Sequence, residues 1–396
     1  MALVQFATKV NFSPITMAYR NFSSKTVNSA YKNIKKSVFL SQSTNVYTNL
    51  ALEDWLYRNF DFNNHHVLML WRNDPCVVIG KHQNPWIETN TSELAHITES
   101  GVQVARRNCG GTAIYHDEGN LNMTFFTSAN KCNHGHNMEV VTRALFRNYG
   151  ISVKSMSSNT LSIRNLKVCG SAGKVGSING YHHCAMFVNV DKVDRTHSLQ
   201  QTNSGIRSTA PKSEQSKILN LCEENPKISI TGLLRAVGWE YLRTPVNSLK
   251  DGGKDLANKQ NGFQMINPTE QWFPGITELR NKFSDWEWCY GNTPKFTVTK
   301  SFSVPNEFLN GVNGDLHVTM AVEHGRISDV SLHIPSGLSS TGFSGTANVI
   351  TSLKHQKFSE DAINALQLSL CGNECGFLDD KDKFITECVR QIMTSV

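Results

Sequence analysis

Apolar residues recur at two different spacings along the larger part of the chain. Between residues 48 and 60 they fall on one face of a helix, and the runs 67–71 and 76–79 are short and continuous, as in buried strands. Further strand-like runs lie at 102–105, 123–126, 167–168 and 185–190, and helical patterns lie at 93–100 and 138–149. Because strands and helices mix without regular alternation, the pattern predicts an α+β fold with a mainly antiparallel or mixed sheet.

The pattern changes near residue 292. Apolar and polar residues alternate on both sides of His324-Gly325, which predicts a β-hairpin with its turn at the glycine. Helical patterns follow at 360–370 and 381–393. We therefore predict a larger N-terminal domain and a small C-terminal α/β accessory domain over residues 292–396; the larger domain is interpreted as catalytic, over residues 45–290, only through the resemblance given below.

Charge is distributed unevenly along the 396 residues. The formal net charge of +6 comes from six Lys and Arg residues that precede the first acid, Glu53, so the remaining chain is neutral and offers no electrostatic case for nucleic acid. No apolar run reaches the roughly 18–20 residues of a membrane span. An acid-free, basic, hydroxyl-rich leader is typical of a mitochondrial transit peptide, predicted here over residues 1–40; a basic tail is the alternative.

The ten cysteines contain no Cys-x-x-Cys pair. A zinc ribbon or a thioredoxin-like motif is therefore not expected, and Cys371 and Cys375 are only a weak metal signal. We predict no metal site. Ten scattered thiols fit a reducing compartment such as the mitochondrial matrix.

The segment 105–122 carries the most chemistry. Arg106-Arg107 leads into a small-residue loop, a β-type run and the sequence His-Asp-x-Gly-Asn. Exposed backbone N–H groups and guanidinium groups both donate to anionic oxygens. The P-loop and Rossmann fingerprints are absent. The residues alone indicate either an anion site or a polar turn between two strands.

Together with four other segments, this one forms a set of motifs in a fixed order. That set resembles the lipoate-protein ligase and lipoyltransferase family over residues 45–290. The motifs are Asn49–Glu53, Val77–Trp86, Arg106–Asn120, Asn165–Ala172 and Gly180–Ala185. Tyr181-His182-His183-Cys184, Gly205-Ile206-Arg207-Ser208 and Phe273-Pro274-Gly275 make the resemblance strongest to the mitochondrial lipoyltransferases.

The resemblance implies a fold shared with biotin ligases and class II synthetase cores. It implies transfer of a lipoyl group from lipoyl-AMP, or from lipoyl-H-protein, to a lysine on lipoyl domains of 2-oxoacid dehydrogenase complexes. Metal is not expected for the transfer; Mg and ATP would be needed only by a full ligase. The implied partners are the lipoyl domains of the acyltransferase subunits and the glycine cleavage H protein, without nucleic acid or membrane. The implied state is a monomer in the mitochondrial matrix.

The resemblance also implies roles for individual residues. Lys167 is the predicted catalytic residue, and Gly80 and His82 are predicted to line the lipoyl pocket. The predicted contacts of lipoyl-AMP are Arg107, Gly110, Gly111, Thr112, Ala113, Ile114, Tyr115, Lys167 and Ala185. Of the neighbouring polar residues, Asp117 is expected to be structural, and His182 and His183 are expected to pack near the site rather than bind a metal.

The chain departs from the family pattern at several positions. Thr112 stands where the family has glycine, and it would be strained if that position needs a positive φ. The family's Arg-x-Asp-Leu reads Ser158-Asn159-Thr160-Leu161 here, with Arg164 as a candidate substitute for the missing charge. Ala185 replaces a hydroxyl residue. Residues 245–262 form a polar insertion and are predicted to be a flexible surface loop.

Three alternatives to a lipoyltransferase stay open at this point. The first is an ATP-dependent lipoate-protein ligase, although the segment after Gly205-Ile206 is only partly basic. The second is an acyltransferase that uses Cys169 as its nucleophile, two residues beyond Lys167. The third is a degenerate, non-catalytic protein that only binds lipoyl domains.

Overall fold

The computed structural model describes residues 34–394, with gaps at a few positions. The gaps are residues 92, 95, 98–100, 158–159, 200–204, 215, 310–312, 340–342, 349–352, 360–361 and 363–379. Among the helices of the described residues, none is long and apolar enough to cross a membrane. The predicted leader falls mainly on residues 1–33, which lie outside the described residues.

The described elements mix strands and helices as predicted. The strands are β1 (Lys35–Ser41), β2 (His65–Trp71), β3 (Cys76–Ile79), β4 (Gln103–Arg106), β5 (Ile114–His116), β6 (Asn120–Ser128), β7 (Lys154–Ser157), β8 (Thr160–Ile163), β9 (Leu166–Val175), β10 (Asn179–Phe187), β11 (Ile206–Ser208), β12 (Gly262–Ile266), β13 (Phe296–Ser303), β14 (Asp315–Glu323), β15 (Arg326–Ile334) and β16 (Gly345–Asn348). The helices are α1 (Val46–Asn59), α2 (Pro85–Glu88), α3 (His134–Tyr149), α4 (Lys192–Ser198), α5 (Leu221–Glu224), α6 (Ile230–Arg243), α7 (Gly253–Asn258), α8 (Ile276–Ser284) and a final helix Asp380–Thr394. A π-helical turn spans Glu287–Gly291.

An eight-stranded mixed sheet organises the described residues of the larger, N-terminal part. Its order is β12-β1-β2-β6-β10-β9-β8-β7, in which β1 runs parallel to both neighbours and the other pairs are antiparallel. One face, here called the helix face, packs against α3 and α6. The opposite face, here called the front face, packs against α1 and a three-stranded sheet of order β4-β3-β5. The candidate site lies between the front face and this small sheet.

Local sequence explains where the elements near the site begin and end. The Asn45 side chain accepts from the Thr48 backbone N–H at 3.0 Å, so α1 begins at Val46, two residues before the predicted helical pattern. The turn between β8 and β9 contains Arg164 and Asn165 with φ of 49° and 63°, the left-handed pair that a two-residue hairpin turn requires. That turn fixes the point at which Lys167 enters the sheet.

Two expectations about the domain boundary and its loops are wrong. The predicted leader, residues 1–40, overlaps β1, which lies inside the large sheet; the described domain therefore begins ten residues before the predicted residue 45. The predicted flexible loop at 245–262 contains α7 and leads into β12, and its Asp251 forms ion pairs with Arg243 and Arg147. Both errors concern polar segments that become ordered through contacts with distant parts of the chain.

A second, five-stranded sheet forms the C-terminal part, in the order β11-β13-β14-β15-β16. The predicted hairpin is confirmed, because β14 and β15 pair around His324 and Gly325, both of positive φ. The edge strand of this five-stranded sheet, β11, comes from the segment that was predicted to belong to the larger domain. The C-terminal sheet therefore includes one strand from that larger part. The final helix covers β13 and β14, whereas most of the predicted helix at 360–370 lies outside the described residues.

Candidate functional site

Lys167 lies at the start of β9, where its backbone N–H and carbonyl groups are both hydrogen-bonded to one neighbouring segment. Its N–H donates to the Lys217 carbonyl and its own carbonyl accepts from the Leu219 N–H, each at 3.0 Å. The side chain crosses over Gly170, where an added Cβ would lie 3.0 Å from Cε and 3.1 Å from Nζ. Glycine at 170 therefore leaves room for the ammonium group on the front face.

The Lys167 ammonium group has no hydrogen bond or ion pair with any residue that the structure describes. Burial lowers its pKa from the usual 10.5, and the guanidinium groups of Arg195 and Arg107 lower the pKa further, although Cys169 opposes them. An unpaired, partly desolvated cation is suited to bind an anionic or developing negative oxygen.

Arg107 holds the glycine loop rather than facing open space. Its guanidinium group donates to the carbonyls of Gly110 at 3.0 and 2.8 Å, Val78 at 3.1 Å and Thr112 at 2.9 Å. These bonds use four of the five guanidinium N–H groups. The residue type indicated an anion contact, but the structure gives Arg107 mainly the task of shaping the loop.

Close packing of the loop explains two glycines. A Cβ at Gly80 would lie 2.1 Å from the Gly111 carbonyl oxygen, so Gly80 is required by the approach of the loop rather than by space for a ligand. Gly111 has φ +97°, and a Cβ there would lie 3.1 Å from the Cβ of Ala172. Ala172 and Gly170 are two residues apart on one strand face, so the loop and the Lys167 ammonium group are neighbours.

The departure at Thr112 carries no backbone strain. Among the described residues the positive φ of the loop belongs to Gly111, and Thr112 is exposed. The backbone N–H of Ala113 donates to the Ser213 hydroxyl at 2.8 Å, so the segment after β11 reaches this loop. Ile114 faces the large sheet, whereas Tyr115 points to the other side of the small sheet, where its buried hydroxyl has no described partner.

Arg106, the first arginine of the pair, is a structural link. It is fully buried and donates to the carbonyls of Lys81, Gln83 and Cys289 and to the Thr293 hydroxyl, at 2.7–2.9 Å. Burial lowers its pKa to about 10. These bonds join the turn after β3 to the segment that enters the C-terminal sheet.

A buried polar layer on the front face was not predicted. Glu53 on α1 accepts from the Thr124 hydroxyl at 2.8 Å and lies 3.1 Å from His183 Nδ1. Near this group, Asn122 is fully buried and both atoms of its side-chain amide lack a described partner. Asn122 lies in the segment that the sequence singled out, but only burial shows that its amide is unpaired.

Arg195 on α4 is a second residue that sequence reasoning missed. Its guanidinium group lies 3.4 Å from the Ser216 carbonyl, next to Lys217, which pairs with the Lys167 backbone. Burial lowers the pKa of Arg195. No acidic residue in the described ranges forms an ion pair with it, so α4 places another cation beside the Lys167 site.

The structure also positions three other residues that the sequence singled out. Ala185 lies on the front face, directly opposite Gly170 on β9 and Asn122 on β6. Asp117 is structural, because it accepts from the backbone N–H groups of Gly119 and Asp191, each at 2.8 Å. His182 was expected near the site, which is wrong: it packs on the opposite, helix face, where its ring stacks on His134 with centroids 4.0 Å apart.

Other residues are not brought to the site. His82, predicted to line the lipoyl pocket, is exposed in the turn after β3. Arg164 pairs with Glu224 at the hairpin tip and does not replace the missing charge near the glycine loop. Cys169 is fully buried in the helix-face core, which argues against a thioester mechanism. Ser158 and Asn159 lie outside the described residues, and the described residues contain no cluster that could hold a metal ion.

An unpaired lysine beside a tight glycine loop, set between two sheets of an α+β domain, is suited to bind an anionic group or an oxygen that becomes negative during a reaction. Residues 45–238 match the model of the lipoyl protein ligase A/B catalytic domain. The mouse (Mus musculus) protein called lipoyl amidotransferase LIPT1, mitochondrial, is 36% identical over 75% of this chain and 76% of its own length. The chain belongs to the family of lipoate-protein ligases and lipoyltransferases, and it is an enzyme of protein lipoylation.

Further comparisons agree with this family. The human LIPT1 protein is 35% identical over 77% of this chain and 78% of its own length, and lipoate-protein ligase A of Bdellovibrio bacteriovorus is 31% identical over 76% and 83%. The solved structure of P. falciparum LipL1 in complex with lipoate covers 91% of this chain and all of its own, with a TM-score of 0.52 at 23% identity. That likeness confirms the fold.

Proposed function

We propose that this protein transfers a lipoyl group from lipoyl-AMP, or from lipoyl-H-protein, to a specific lysine of lipoyl domains in 2-oxoacid dehydrogenase complexes. The observation that carries the proposal is the Lys167 ammonium group, unpaired on the front face beside the Gly110–Thr112 loop. Both donors present an acyl carbonyl, so both need a cation where the carbonyl oxygen becomes negative.

The reaction forms one bond and breaks one. The acceptor amine attacks the lipoyl carbonyl carbon, and the carbonyl oxygen takes up negative charge in a tetrahedral intermediate. With the adenylate, the bond between that carbon and the phosphate oxygen then breaks, AMP leaves, and the attacking nitrogen loses a proton to solvent. Lys167 stabilises the negative oxygen and the phosphate by charge-assisted hydrogen bonds.

The loop residues have the supporting roles. Arg107 fixes the loop through its four backbone hydrogen bonds and adds positive charge beside the bound donor. The backbone of residues 110–115 and the small side chain of Ala185 border the space for the acyl-adenylate. Because Ser213 already bonds the Ala113 N–H, the adenylate reaches that donor only when the segment around Ser213 moves.

The proposed setting follows from the relatives. The mouse and human relatives are mitochondrial by name, and one related solved structure is described as a bipartite lipoate protein ligase together with its E2 lipoyl domain. We place this protein in the mitochondrial matrix, as a monomer that acts on the lipoyl domains of acyltransferase subunits and on the glycine cleavage H protein. No metal ion is assigned to the transfer step.

A donor-by-donor assay tests the proposal. The full chain is mixed with an apo lipoyl domain and one donor at a time: lipoyl-adenylate, lipoyl-H-protein, or ATP, Mg²⁺ and lipoate. Mass spectrometry of the lipoyl domain should show one added lipoyl group with at least one of the first two donors. Lipoylation with ATP and lipoate, accompanied by pyrophosphate release, would instead identify a complete ligase. Binding of lipoyl domains without transfer from any donor would identify a non-catalytic protein.

A further inference from the structure

Four residues form a row across the front face of the large sheet. Gly170 on β9 lies directly opposite Ala185 on β10, Ala185 lies opposite Asn122 on β6, and Asn122 lies opposite Trp71 on β2. Directly opposite residues in a sheet point to the same face. The row therefore runs from the Lys167 ammonium group, above Gly170, past the small Ala185 to the amide of Asn122.

Burial of the Asn122 amide without a partner lowers the stability of the ligand-free protein. The residue has 0% exposure, and neither its Nδ2 nor its Oδ1 has a partner among the described residues. A buried donor or acceptor without a partner is unfavourable, and an apolar residue of similar shape would remove the penalty. An unpaired polar group in this position indicates that it meets a polar atom of something that the front face binds.

The spacing of the row identifies which part of a bound donor reaches Asn122. Neighbouring strands lie about 4.8 Å apart, so Gly170 and Asn122 are separated by roughly 10 Å. An eight-carbon acyl chain has a similar extended length. With the carbonyl at Lys167 and the chain crossing over Ala185, the far end of the acyl group lies at Asn122 and Trp71.

We propose that the Asn122 amide contacts the dithiolane ring of the lipoyl group and makes this enzyme prefer lipoyl donors to octanoyl donors. The inference rests on the proposed function and adds a determinant of its acyl specificity. Lipoyl and octanoyl chains have the same carbon length, and they differ at the far end, where lipoyl carries two sulfur atoms.

The chemistry of the two chains explains the preference. A ring sulfur is a weak acceptor for the Asn122 N–H, whereas an alkyl end leaves the amide both dehydrated and unpaired. A site with buried polar groups rejects an analogue that lacks the matching atom. Because sulfur accepts only weakly, we expect a preference of about tenfold, far smaller than the effect of a missing hydroxyl or amine partner.

The test compares Asn122→Leu with the unmodified protein, using lipoyl-adenylate and octanoyl-adenylate as donors. The ratio of the two kcat/KM values should favour lipoyl by about tenfold in the unmodified protein and fall to near one in Asn122→Leu. The matched control is Asn137→Leu, which removes a buried asparagine from α3 on the helix face. That control should leave the ratio unchanged.

Two further measurements keep the inference separate from the proposed function. Calorimetric titration with the same two adenylates reports the preference without turnover. A lipoyl preference that Asn122→Leu abolishes, in a protein that transfers nothing, supports this inference and overturns the proposed transfer. Equal affinity of the unmodified protein for both adenylates, or a ratio that Asn122→Leu changes by less than twofold, overturns the inference alone.

Stability provides the second check. Loss of an unpaired amide should leave the melting temperature of the ligand-free protein equal or higher in Asn122→Leu. A fall of several degrees would show that the amide is bonded within the protein, which overturns the inference.

Discussion

Replacement of Lys167 by Met tests the chemistry of the site most sharply. The change keeps the length of the side chain and removes the ammonium group that lies over Gly170. No described acid neutralises that group, and burial lowers its pKa, so little solvent competes for its donors. Loss of one donor to a developing oxyanion lowers kcat by roughly 10²–10³, or about 3–4 kcal/mol of barrier.

The assay is a single-turnover experiment at saturating donor, in which the mass of the lipoyl domain is followed over time. Lys174→Met serves as the control, because Lys174 lies on the same strand with its ammonium group 4.6 Å from the centre of the Tyr57 ring. Lys167→Met should also melt no earlier than the unmodified protein, since its ammonium group has no described partner. A folded Lys167→Met that transfers within threefold of the unmodified rate would refute the reasoning.

Two other changes test the parts around Lys167, and a third tests the buried Lys36 on β1, which donates to the Tyr241 and Thr244 carbonyls at the end of α6. Gly80→Ala places a Cβ against the Gly111 carbonyl, so the loop must shift; thermal melts should show a loss of about 1–3 kcal/mol, and an unchanged melt would contradict the packing. Arg195→Gln should raise KM for lipoyl-adenylate about tenfold with little change in kcat, whereas Lys192→Gln on the same helix should not; equal effects would show that only overall charge matters. Burial lowers the pKa of Lys36 to about 7, against 10.5 when unfolded. The unfolded chain therefore holds more protons between these values, and stability relative to Lys36→Met should rise by about 2 kcal/mol from pH 7 to 9; a flat difference would contradict the shift.

The sequence pattern predicted those elements whose determining residues are close together in the sequence. The strand Cys76–Ile79 and the hairpin around His324-Gly325 were predicted at the positions that the structure shows. Strand β1 was missed because its sequence continues a basic, acid-free leader. It is ordered by pairing with β2 and with β12, more than two hundred residues away, and no short window of sequence carries that information.

The candidate site shows the same limit of local sequence. Residue types drew attention to the glycine loop and the family resemblance to Lys167, but neither could show where donors point. Arg107 has the residue type of an anion ligand, yet most of its donors go to loop carbonyls. Asn122 and Arg195 were recognised as candidate site residues only because the structure shows that Asn122 is buried without a described amide partner and that Arg195 is half-buried without a described ion-pair partner. Tertiary packing decides both properties.

The central claim is that Lys167 meets the acyl carbonyl of the donor on the front face. A crystal structure with a non-hydrolysable lipoyl-adenylate analogue, in which a sulfamate replaces the phosphate, tests this directly. The account predicts the acyl carbonyl oxygen within about 3 Å of Lys167 Nζ, with the sulfamate beside the Gly110–Thr112 loop. An analogue bound elsewhere, or bound with its carbonyl far from Lys167 Nζ, would contradict it.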